Sequence, residues 1–326
     1  MKRFLIDIIT PWKSPILFIL FGLLYFVYVF DDITGDLGKL GQIVFSKEYH
    51  SQPKFDETTQ EYLNPCGIDE IKDYRIVFIG DSFTNVYPHY VSKRVNRRAV
   101  KYSASNIDTP EQTFVALCNN NVLMPQIIVL ESVERQFVER LSDLDFSSSV
   151  RPVQIKPSNQ KPEKQTDIAT FYKNQIIDNH AVRHIHLRDS LFSCPNKEKD
   201  LYFYHEDLQF PSDEQIQIAI SKLDSLFLFA KEKHIQLFYV IAADKYDVYQ
   251  DFAIDNPYSQ KTVLNSFSQF ENNPYFVSTR PLLNEKAKKG VTDLYYADDT
   301  HWSPVGAKIV AEEIARRIDS LGVFQN

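Results

Sequence analysis

Short apolar runs, in which β-branched and aromatic residues predominate, recur along the chain. The runs are Arg75–Ile79, Ala99–Tyr102, Gln126–Leu130 and Ile235–Ile241. Their length and composition favour buried strands, and helical patterns lie between and after them. Strands that alternate with helices predict a parallel sheet covered on both faces. We therefore expect an α/β fold, arranged as a three-layer α/β/α sandwich.

Two of the helices carry start signals. Ser212 can cap the N-terminus of one helix, with Gln215 completing a capping box. The apolar face expected for this helix contains Ile216, Ile220, Leu223 and Phe227. Ser303, followed by Pro304, starts the last helix. The apolar stripe expected there contains Val305, Ile309, Ile314 and Ile318.

The N-terminal region contains a membrane-anchor pattern. Residues 14–30 form a run of seventeen residues without a charge, and a helix of this length is about 25 Å long, the short end of what spans a bilayer. Basic residues precede the run and acidic residues follow it, which predicts that residues 1–13 are cytoplasmic. A cleaved signal peptide is the alternative, but the small residues that cleavage requires are poorly represented after Phe30. We favour a single-pass signal anchor.

The rest of the chain divides by composition. Residues 31–70 are polar without a sustained period, and we interpret them as a stem. Residues 71–326 contain the strand and helix patterns and are expected to form one domain. Within it, residues 147–166 carry three prolines and no aromatic residue. They are interpreted as an exposed insertion, because strand-like runs continue beyond them.

Composition excludes several classes of protein. Hydrophobic residues make up 44% of the chain, which is enough to bury a large core. The net charge of −7 argues against a general nucleic-acid binder. The three cysteines include no CxxC pair, which argues against a disulfide scaffold or a zinc ribbon. Neither a G-x-G-x-x-G motif nor a P-loop is present, so no nucleotide cofactor is expected.

The first chemical motif is IGDSF at residues 79–83, directly after the first strand. In an open α/β sheet, ligands bind at the carboxyl ends of the strands. There the hydroxyl of Ser82 faces the crevice, and its backbone N–H can stabilise an oxyanion. The motif by itself is more typical of an ordinary turn with a serine cap than of a nucleophile.

The second motif is DDTHW at residues 298–302, which opens the last helix. A serine nucleophile needs a base, and that base needs a carboxylate that fixes its tautomer. His301 can be the base, with an aspartate two or three residues earlier on the same turn. The two motifs together predict a catalytic Ser82–His301–Asp site.

This order of motifs resembles the SGNH (GDSL-type) hydrolase superfamily, with a closer resemblance to AlgJ/AlgX-like polysaccharide O-acetyltransferases. Four phrases carry it: IGDSF at 79–83, VLESVER at 129–135, IAADKYDVY at 241–249 and LYYADDTHWSPVGA at 294–307. The resemblance implies a flavodoxin-like sandwich, a catalytic domain over 71–326 and acyl transfer through Ser82. In the alginate enzymes the D-x-H-W box precedes the serine, whereas here it follows, so alginate is not implied as the acceptor.

The resemblance leaves the triad acid open between two residues. Generic SGNH enzymes place it three residues before the histidine, which is Asp298 here, whereas the D-T-H-W phrase places it at Asp299. Adjacent residues of an extended segment point in opposite directions, so only one is expected to reach the imidazole. We favour Asp299, because the D-T-H-W box matches without a gap, and keep Asp298 as the alternative.

The resemblance also leaves the oxyanion donors undecided. SGNH enzymes usually supply them from a glycine and from an asparagine of a GxND motif, and that motif is missing here. In the stretches that match the second and third conserved blocks of the family, residues 102–108 and 129–135, Asn106 and Arg135 could donate instead. The alternatives are that Asn106 is a turn residue and that Arg135 pairs with Glu131 or Glu134.

We expect no metal. His184 and His186 alternate as they would on a strand, and no carboxylate or cysteine cluster lies beside them to complete a metal site. We interpret the pair as part of a surface strand.

The expected function is that of an O-acetyltransferase, anchored in the inner or plasma membrane, with a periplasmic or extracellular catalytic domain. The acceptor would be a cell-surface or exported polysaccharide. Because acetyl-CoA is cytoplasmic, such an enzyme needs a membrane partner, and the resemblance implies a membrane-bound O-acyltransferase. The alternatives are a carbohydrate esterase and a non-catalytic, SGNH-like glycan assembly subunit.

Overall fold

The computed structural model describes residues 35–37, 51–55, 71, 74–85, 87–102, 109–123, 127–149 and 181–322. The predicted anchor over 14–30 lies outside these residues, as does the predicted insertion apart from residues 147–149. Among the residues that are described, no helix has both the length and the apolar character needed to cross a membrane.

The described residues form seven strands. They are β1 Ile76–Ile79, β2 Ala99–Tyr102, β3 Ile127–Val133, β4 Val182–His186, β5 Asp200–Tyr204, β6 Gln236–Ala242 and β7 Phe276–Ser278. Five of them form one parallel sheet in the order β2-β1-β3-β6-β7. Strands β4 and β5 form a separate antiparallel hairpin. The predicted α/β class with a parallel sheet is confirmed.

The strands lie where the apolar runs predicted them. Every residue of β1 and of β3 is buried, as expected for strands covered on both faces. The runs at β2 and β6 also match to within one residue. Strand β7 was not predicted, because three residues are too few to establish a pattern; it is defined by pairing with Tyr239–Ile241 of β6.

Seven α-helices lie in the described part of the chain. They are α1 Tyr87–Val95, α2 Pro110–Asn119, α3 Glu134–Ser142, α4 Asp213–Glu232, α5 Lys245–Tyr249, α6 Thr279–Lys288 and α7 Pro304–Ser320. Short 3₁₀ helices cover Ser82–Asn85, His205–Leu208, Gln250–Phe252 and Val263–Phe270. Helices α1 and α6 pack against α7, and α3 packs against α4.

The connections between the first strands place their helices on the two faces of the sheet. The β1–β2 and β2–β3 crossovers run in opposite directions across the sheet. Because such crossovers are right-handed, α1 and α2 lie on opposite faces.

The predicted helix starts are confirmed. Ser212 and Gln215 form both hydrogen bonds of the capping box, and Ser303 caps α7 ahead of Pro304. The stripe predicted for α7 was wrong in its first half, since Val305 and Ile309 are only partly buried. The buried side of α7 contains Gly306, Ala307, Val310, Ala311, Ile314, Ala315 and Ile318. Small residues at its start let the helix approach its neighbours closely, so they take the buried positions that larger residues were expected to fill.

The strand order identifies where a ligand site should lie. The direction of strand addition changes between β1 and β3, and an open α/β sheet binds its ligands at such a switch point, beyond the carboxyl ends of the strands. Ser82 follows β1 directly. Two pieces of the predicted stem, residues 35–37 and 51–55, hydrogen-bond to residues 297–300 near the same edge.

Two glycines permit close approaches that shape this edge. A Cβ on Gly80 would lie 2.1 Å from Thr84 Oγ1 and 2.7 Å from Glu131 Oε2. A Cβ on Gly306 would lie 2.1 Å from the carbonyl oxygen of Leu294. Any side chain at these positions would therefore displace the turns that precede Ser82 and α7.

Candidate active site

Ser82 begins the 3₁₀ helix that follows β1, and it is exposed whereas Phe83 and Thr84 are buried. Its Oγ lies 2.5 Å from His301 Nε2. The ring of Phe83 packs against the imidazole of His301 and against the buried Trp302, with centroid distances of 4.9 Å to each. The residues that follow the serine and the histidine thus hold the two polar groups together.

The turn that carries Ser82 is fixed by charged groups from β3 and α3. Arg140 donates two hydrogen bonds to the carboxylate of Asp81, at 2.5 and 3.1 Å. The buried Glu131 accepts, through Oε2, the N–H of Asp81 at 2.9 Å and the hydroxyl of Thr84 at 2.6 Å. Burial and the nearby Asp81 raise the pKa of the Glu131 carboxyl. Sequence patterns gave Glu131 and Arg140 no role here, because both contacts cross about fifty residues or more.

The loop that carries His301 is closed on itself. Tyr295 and Trp302 form an antiparallel β-bridge, and the N–H of Tyr296 donates to the carbonyl of His301 at 3.2 Å. The ammonium group of Lys245 donates to three of the loop's carbonyls, those of Tyr296, Ala297 and Asp299, at 2.7, 2.9 and 3.2 Å.

Lys245 lies at the start of α5 and is 1% exposed. Burial lowers its pKa to about 8, although the nearby carboxylates of Asp298 and Asp299 act to raise it. A buried cation therefore orients the carbonyls of the loop on which the histidine depends. The phrase IAADKYDVY at 241–249 contains this residue, but the contacts of its side chain follow only from the fold.

Of the two candidate aspartates, Asp299 is the one that contacts the imidazole. Its Oδ1 lies 2.6 Å from His301 Nδ1 and also accepts the backbone N–H of His301 at 2.9 Å. Burial alone would lower the pKa of His301, but the carboxylates of Asp299 and Asp36 reverse this and raise it above its usual value. The pKa of Asp299 is lowered in turn, because its hydrogen bonds from His301 outweigh the effect of burial.

Asp298 is engaged elsewhere. Its side chain is buried, with Oδ2 accepting the N–H of Gly35 at 3.0 Å and Oδ1 accepting the amide of Gln52 at 2.8 Å. Its carbonyl accepts the N–H of Leu37 at 3.2 Å. A Cβ on Gly35 would lie 2.3 Å from that carbonyl oxygen. Asp298 therefore fastens the segment Gly35–Leu37 to the histidine loop.

This segment brings a second carboxylate to the imidazole of His301, one that the sequence did not indicate. Asp36 Oδ2 lies 3.4 Å from His301 Nδ1. The same side chain accepts the N–H and the hydroxyl of Thr300, at 2.7 and 2.5 Å. Asp36 belongs to the polar stretch interpreted as a stem, and no motif marks it there.

The two predicted oxyanion donors have different outcomes. Asn106 lies outside the described residues. Arg135 is mostly buried, and its Nη1 lies 2.5 Å from Asp244 Oδ1 and 3.4 Å from Asp207 Oδ1. Its partners are therefore these aspartates, from the β6–α5 turn and a 3₁₀ helix, and not Glu131 or Glu134 as the alternative reading had it. Burial lowers the pKa of Arg135, and the two aspartates more than reverse this.

The donor atoms around His301 could also hold a cation. One ligand atom each from Asp36, Asp299 and His301 lies within 4.8 Å of the other two. Carboxylate oxygens and an imidazole nitrogen are ligands for divalent metals. A metal here would use His301 Nδ1, the nitrogen that otherwise hydrogen-bonds to Asp299, and would leave Nε2 to Ser82.

One comparison with known proteins bears on this geometry. Residues 197–325 match the family model of the SGNH hydrolase-like domain of acetyltransferase AlgX. This part of the chain is similar to AlgX. The predicted resemblance is thereby confirmed. The AlgX-like part covers less than half of the chain; it contains Lys245 and the histidine loop but not Ser82. Among curated proteins and among solved structures, no match is found.

The contacts of the two aspartates lead to a prediction that separates them. Asp299→Asn should reduce kcat by up to about 10⁴-fold, because an amide at this position favours the wrong histidine tautomer. Asp298→Asn should leave kcat within about tenfold. It should instead lower the free energy of unfolding by about 1–3 kcal/mol, because an amide cannot accept both of the present hydrogen bonds. Ester hydrolysis and urea denaturation of the two variants measure these effects. If Asp298→Asn loses most of its kcat and Asp299→Asn loses little, Asp298 and not Asp299 is the residue that orients His301.

Proposed function

We propose that the chain is a membrane-anchored, extracytoplasmic O-acetyltransferase that moves an acetyl group, through an acyl-serine, onto a cell-surface or exported polysaccharide. The observation that carries the proposal is the hydrogen-bonded series from Ser82 Oγ through His301 to Asp299. It lies at the ligand-binding edge of the sheet, and the histidine half belongs to the part of the chain that is similar to acetyltransferase AlgX.

In the first half-reaction, neutral His301 takes the proton of Ser82 Oγ, and the oxygen attacks the carbonyl carbon of an acetyl ester or thioester. The resulting oxyanion is stabilised by the N–H of Ser82, with Asn106 or the guanidinium of Arg135 as the second donor. Loss of one such donor costs roughly 3–4 kcal/mol of barrier. Collapse of the intermediate expels the leaving group, which takes the proton from His301, and leaves acetyl-Ser82.

In the second half-reaction, a sugar hydroxyl gives its proton to His301 and attacks the acetyl carbon. The acetyl group then moves to the sugar oxygen, and the proton returns to Ser82. If water replaces the sugar hydroxyl, the same groups perform ester hydrolysis. Transfer and hydrolysis therefore differ only in the acceptor, and the ratio of the two products distinguishes a transferase from an esterase.

Asp36 and Asp299 together set the basicity of the catalytic histidine. Two carboxylates within 3.4 Å of Nδ1 stabilise the imidazolium that forms when Ser82 is deprotonated. The same carboxylates keep the imidazole protonated at lower pH, where it cannot act as a base. The enzyme is therefore expected to be most active on the alkaline side of the usual histidine range.

The proposed anchor is consistent with the position of Asp36. Gly35 follows the last residue of the anchor, Phe30, by only five residues, and a chain of that length spans at most about 17 Å. The Gly35–Leu37 segment hydrogen-bonds to the histidine loop. An anchored chain would thus hold its active site close to the membrane surface, where a membrane-bound O-acyltransferase could supply the acetyl group.

The first experiment tests the nucleophile and the base. The detergent-solubilised full chain, treated with p-nitrophenyl acetate, should gain the mass of one acetyl group on the peptide containing Ser82. Ser82→Ala and His301→Ala should each abolish this labelling, and the double variant should be no less active than either single variant, because the two groups act as one unit.

Three outcomes, the last two from repeats with EDTA and with oligosaccharide acceptors, would change the proposed mechanism. Substantial turnover by Ser82→Ala would eliminate the acyl-serine. Loss of activity on removal of metal ions with EDTA would point to a metal on Asp36, Asp299 and His301 in place of the acid–base series. Labelled wild-type protein that gives its acetyl group to water alone, with oligosaccharide acceptors present, would make the chain an esterase.

The second experiment tests the role of Asp36. Asp36→Asn removes a negative charge beside His301 Nδ1 and should lower the pKa of the imidazole. Because the neutral imidazole is the active form, the acid limb of the kcat/KM profile should move to lower pH. Asp298→Asn is the matched control, since that carboxyl bonds Gly35 and Gln52 and should shift the limb less. If the acid limb of the kcat/KM profile does not move in Asp36→Asn, Asp36 does not set the pKa of His301.

The third experiment tests the topology. A reporter enzyme that is active only outside the cytoplasm, fused after Asn326, should be active and should sediment with membranes. Recovery of a shortened, soluble form in the periplasm would mean that the N-terminal segment is a cleaved signal peptide.

A further inference from the structure

The β4–β5 hairpin brings together three metal-binding side chains that are separated in the sequence. His184 and His186 are two residues apart on β4, and alternate residues of a strand share one face. In the antiparallel register, Asp200 of β5 lies directly opposite His186, and Tyr202 lies opposite His184. The two imidazoles and the carboxylate therefore lie on the same side of the hairpin.

Their donor atoms converge. His184 Nε2 lies 3.1 Å from Asp200 Oδ1, and His186 Nδ1 lies 2.9 Å from the same oxygen. The ligand atoms of all three residues lie within 4.8 Å of one another. Ligands that bind zinc at 2.0–2.2 Å in a tetrahedron are about 3.3 Å apart. Both histidine–carboxylate distances are thus slightly shorter than this spacing, and the two imidazole nitrogens lie no more than 4.8 Å apart.

From this convergence we propose that the hairpin binds one divalent transition-metal ion, preferably Zn²⁺, through His184 Nε2, His186 Nδ1 and a carboxylate oxygen of Asp200. Two imidazoles and one carboxylate form a ligand set that zinc uses in proteins, with water in the fourth position. The imidazoles are the more exposed partners, with side-chain exposures of 36% and 67%, so an ion can enter from solvent.

Neighbouring side chains hold two of the ligands in place. The ring of Tyr202 stacks on the imidazole of His184, with centroids 4.5 Å apart and planes at 24°. The ammonium of Lys197 lies 3.1 Å from Asp200 Oδ2, so the other carboxylate oxygen, Oδ1, faces the histidines. Such supporting contacts orient metal ligands and strengthen binding.

The hairpin site is separate from the proposed active site, although both contact helix α5. Strand β5 packs on α5, with the rings of Phe203 and Tyr246 4.7 Å apart. Helix α5 begins with Lys245, whose ammonium orients the histidine loop. A metal on the hairpin would therefore stabilise the packing of β5 on α5, the helix whose Lys245 orients the histidine loop. It would take no part in acyl transfer. The stretch similar to AlgX begins at residue 197 and includes neither histidine.

The test uses the full chain, stripped with EDTA, dialysed and titrated with Zn²⁺ by calorimetry. We expect one ion bound per chain and a rise in the unfolding temperature on its addition. His184→Ala, His186→Ala and Asp200→Ala should each weaken binding by about 100-fold or more and remove the thermal shift. His234→Asn is the matched control, because this exposed histidine has a left-handed φ of 58°, which asparagine tolerates.

A second measurement separates this site from the cation-capable groups around His301. Co²⁺ in place of Zn²⁺ should give the visible absorption of tetrahedral coordination in the wild type and in His301→Ala. The His184→Ala/His186→Ala double variant should lack that absorption. Binding that survives in the double variant but disappears in His301→Ala would overturn the proposal, as would wild-type protein that binds no zinc.

Discussion

The hydrogen bond between Ser82 and His301 joins two turns that lie 219 residues apart in the chain, and the rest of the structure around the site serves to keep them in contact. Phe83 and Trp302 provide the apolar part of this junction, since their rings pack together directly beneath the polar pair. The two glycines at residues 80 and 306 permit the turns to lie close to their neighbours. The polar contact itself is exposed to solvent and needs this rigid surrounding structure to persist.

Buried and partly buried titratable groups fix the same two turns. Glu131 and Arg140 hold the serine turn, and Lys245 holds three carbonyls of the histidine loop. Each is paired with charged or polar groups, as buried charges must be, because an isolated ion in a protein interior is strongly destabilising. Such networks are directional, so they determine the orientation of a loop more narrowly than apolar packing does. The AlgX-like match, which covers Lys245 and the histidine loop, includes this second network.

Local patterns predicted local structure well. Each predicted strand lies within a few residues of an observed one, and the capping signals at Ser212 and Ser303 mark true helix starts. The failures were of two kinds. Strand β7 and the buried side of α7 depend on what packs against them, namely β6 for the strand and α1 and α6 for the helix. The partner of Arg135, Asp244, lies 109 residues away, and Asp200 reaches the hairpin histidines only through the register of β4 and β5, so no spacing rule connects either aspartate to its partners.

The α/β class, the resemblance to AlgX-like proteins, and Ser82, His301 and either Asp298 or Asp299 as the polar groups of the site could all be predicted from the sequence. These follow from periodicity and short motifs, which are properties of adjacent residues. The packing of the chain, in contrast, determines that Asp299 and not Asp298 contacts the imidazole, that Asp36 lies beside it as a second carboxylate, and that Asp200 joins His184 and His186. Hydrogen bonds and ion pairs act over about 3 Å in space, so their partners depend on how the chain packs and not on how far apart they lie along it.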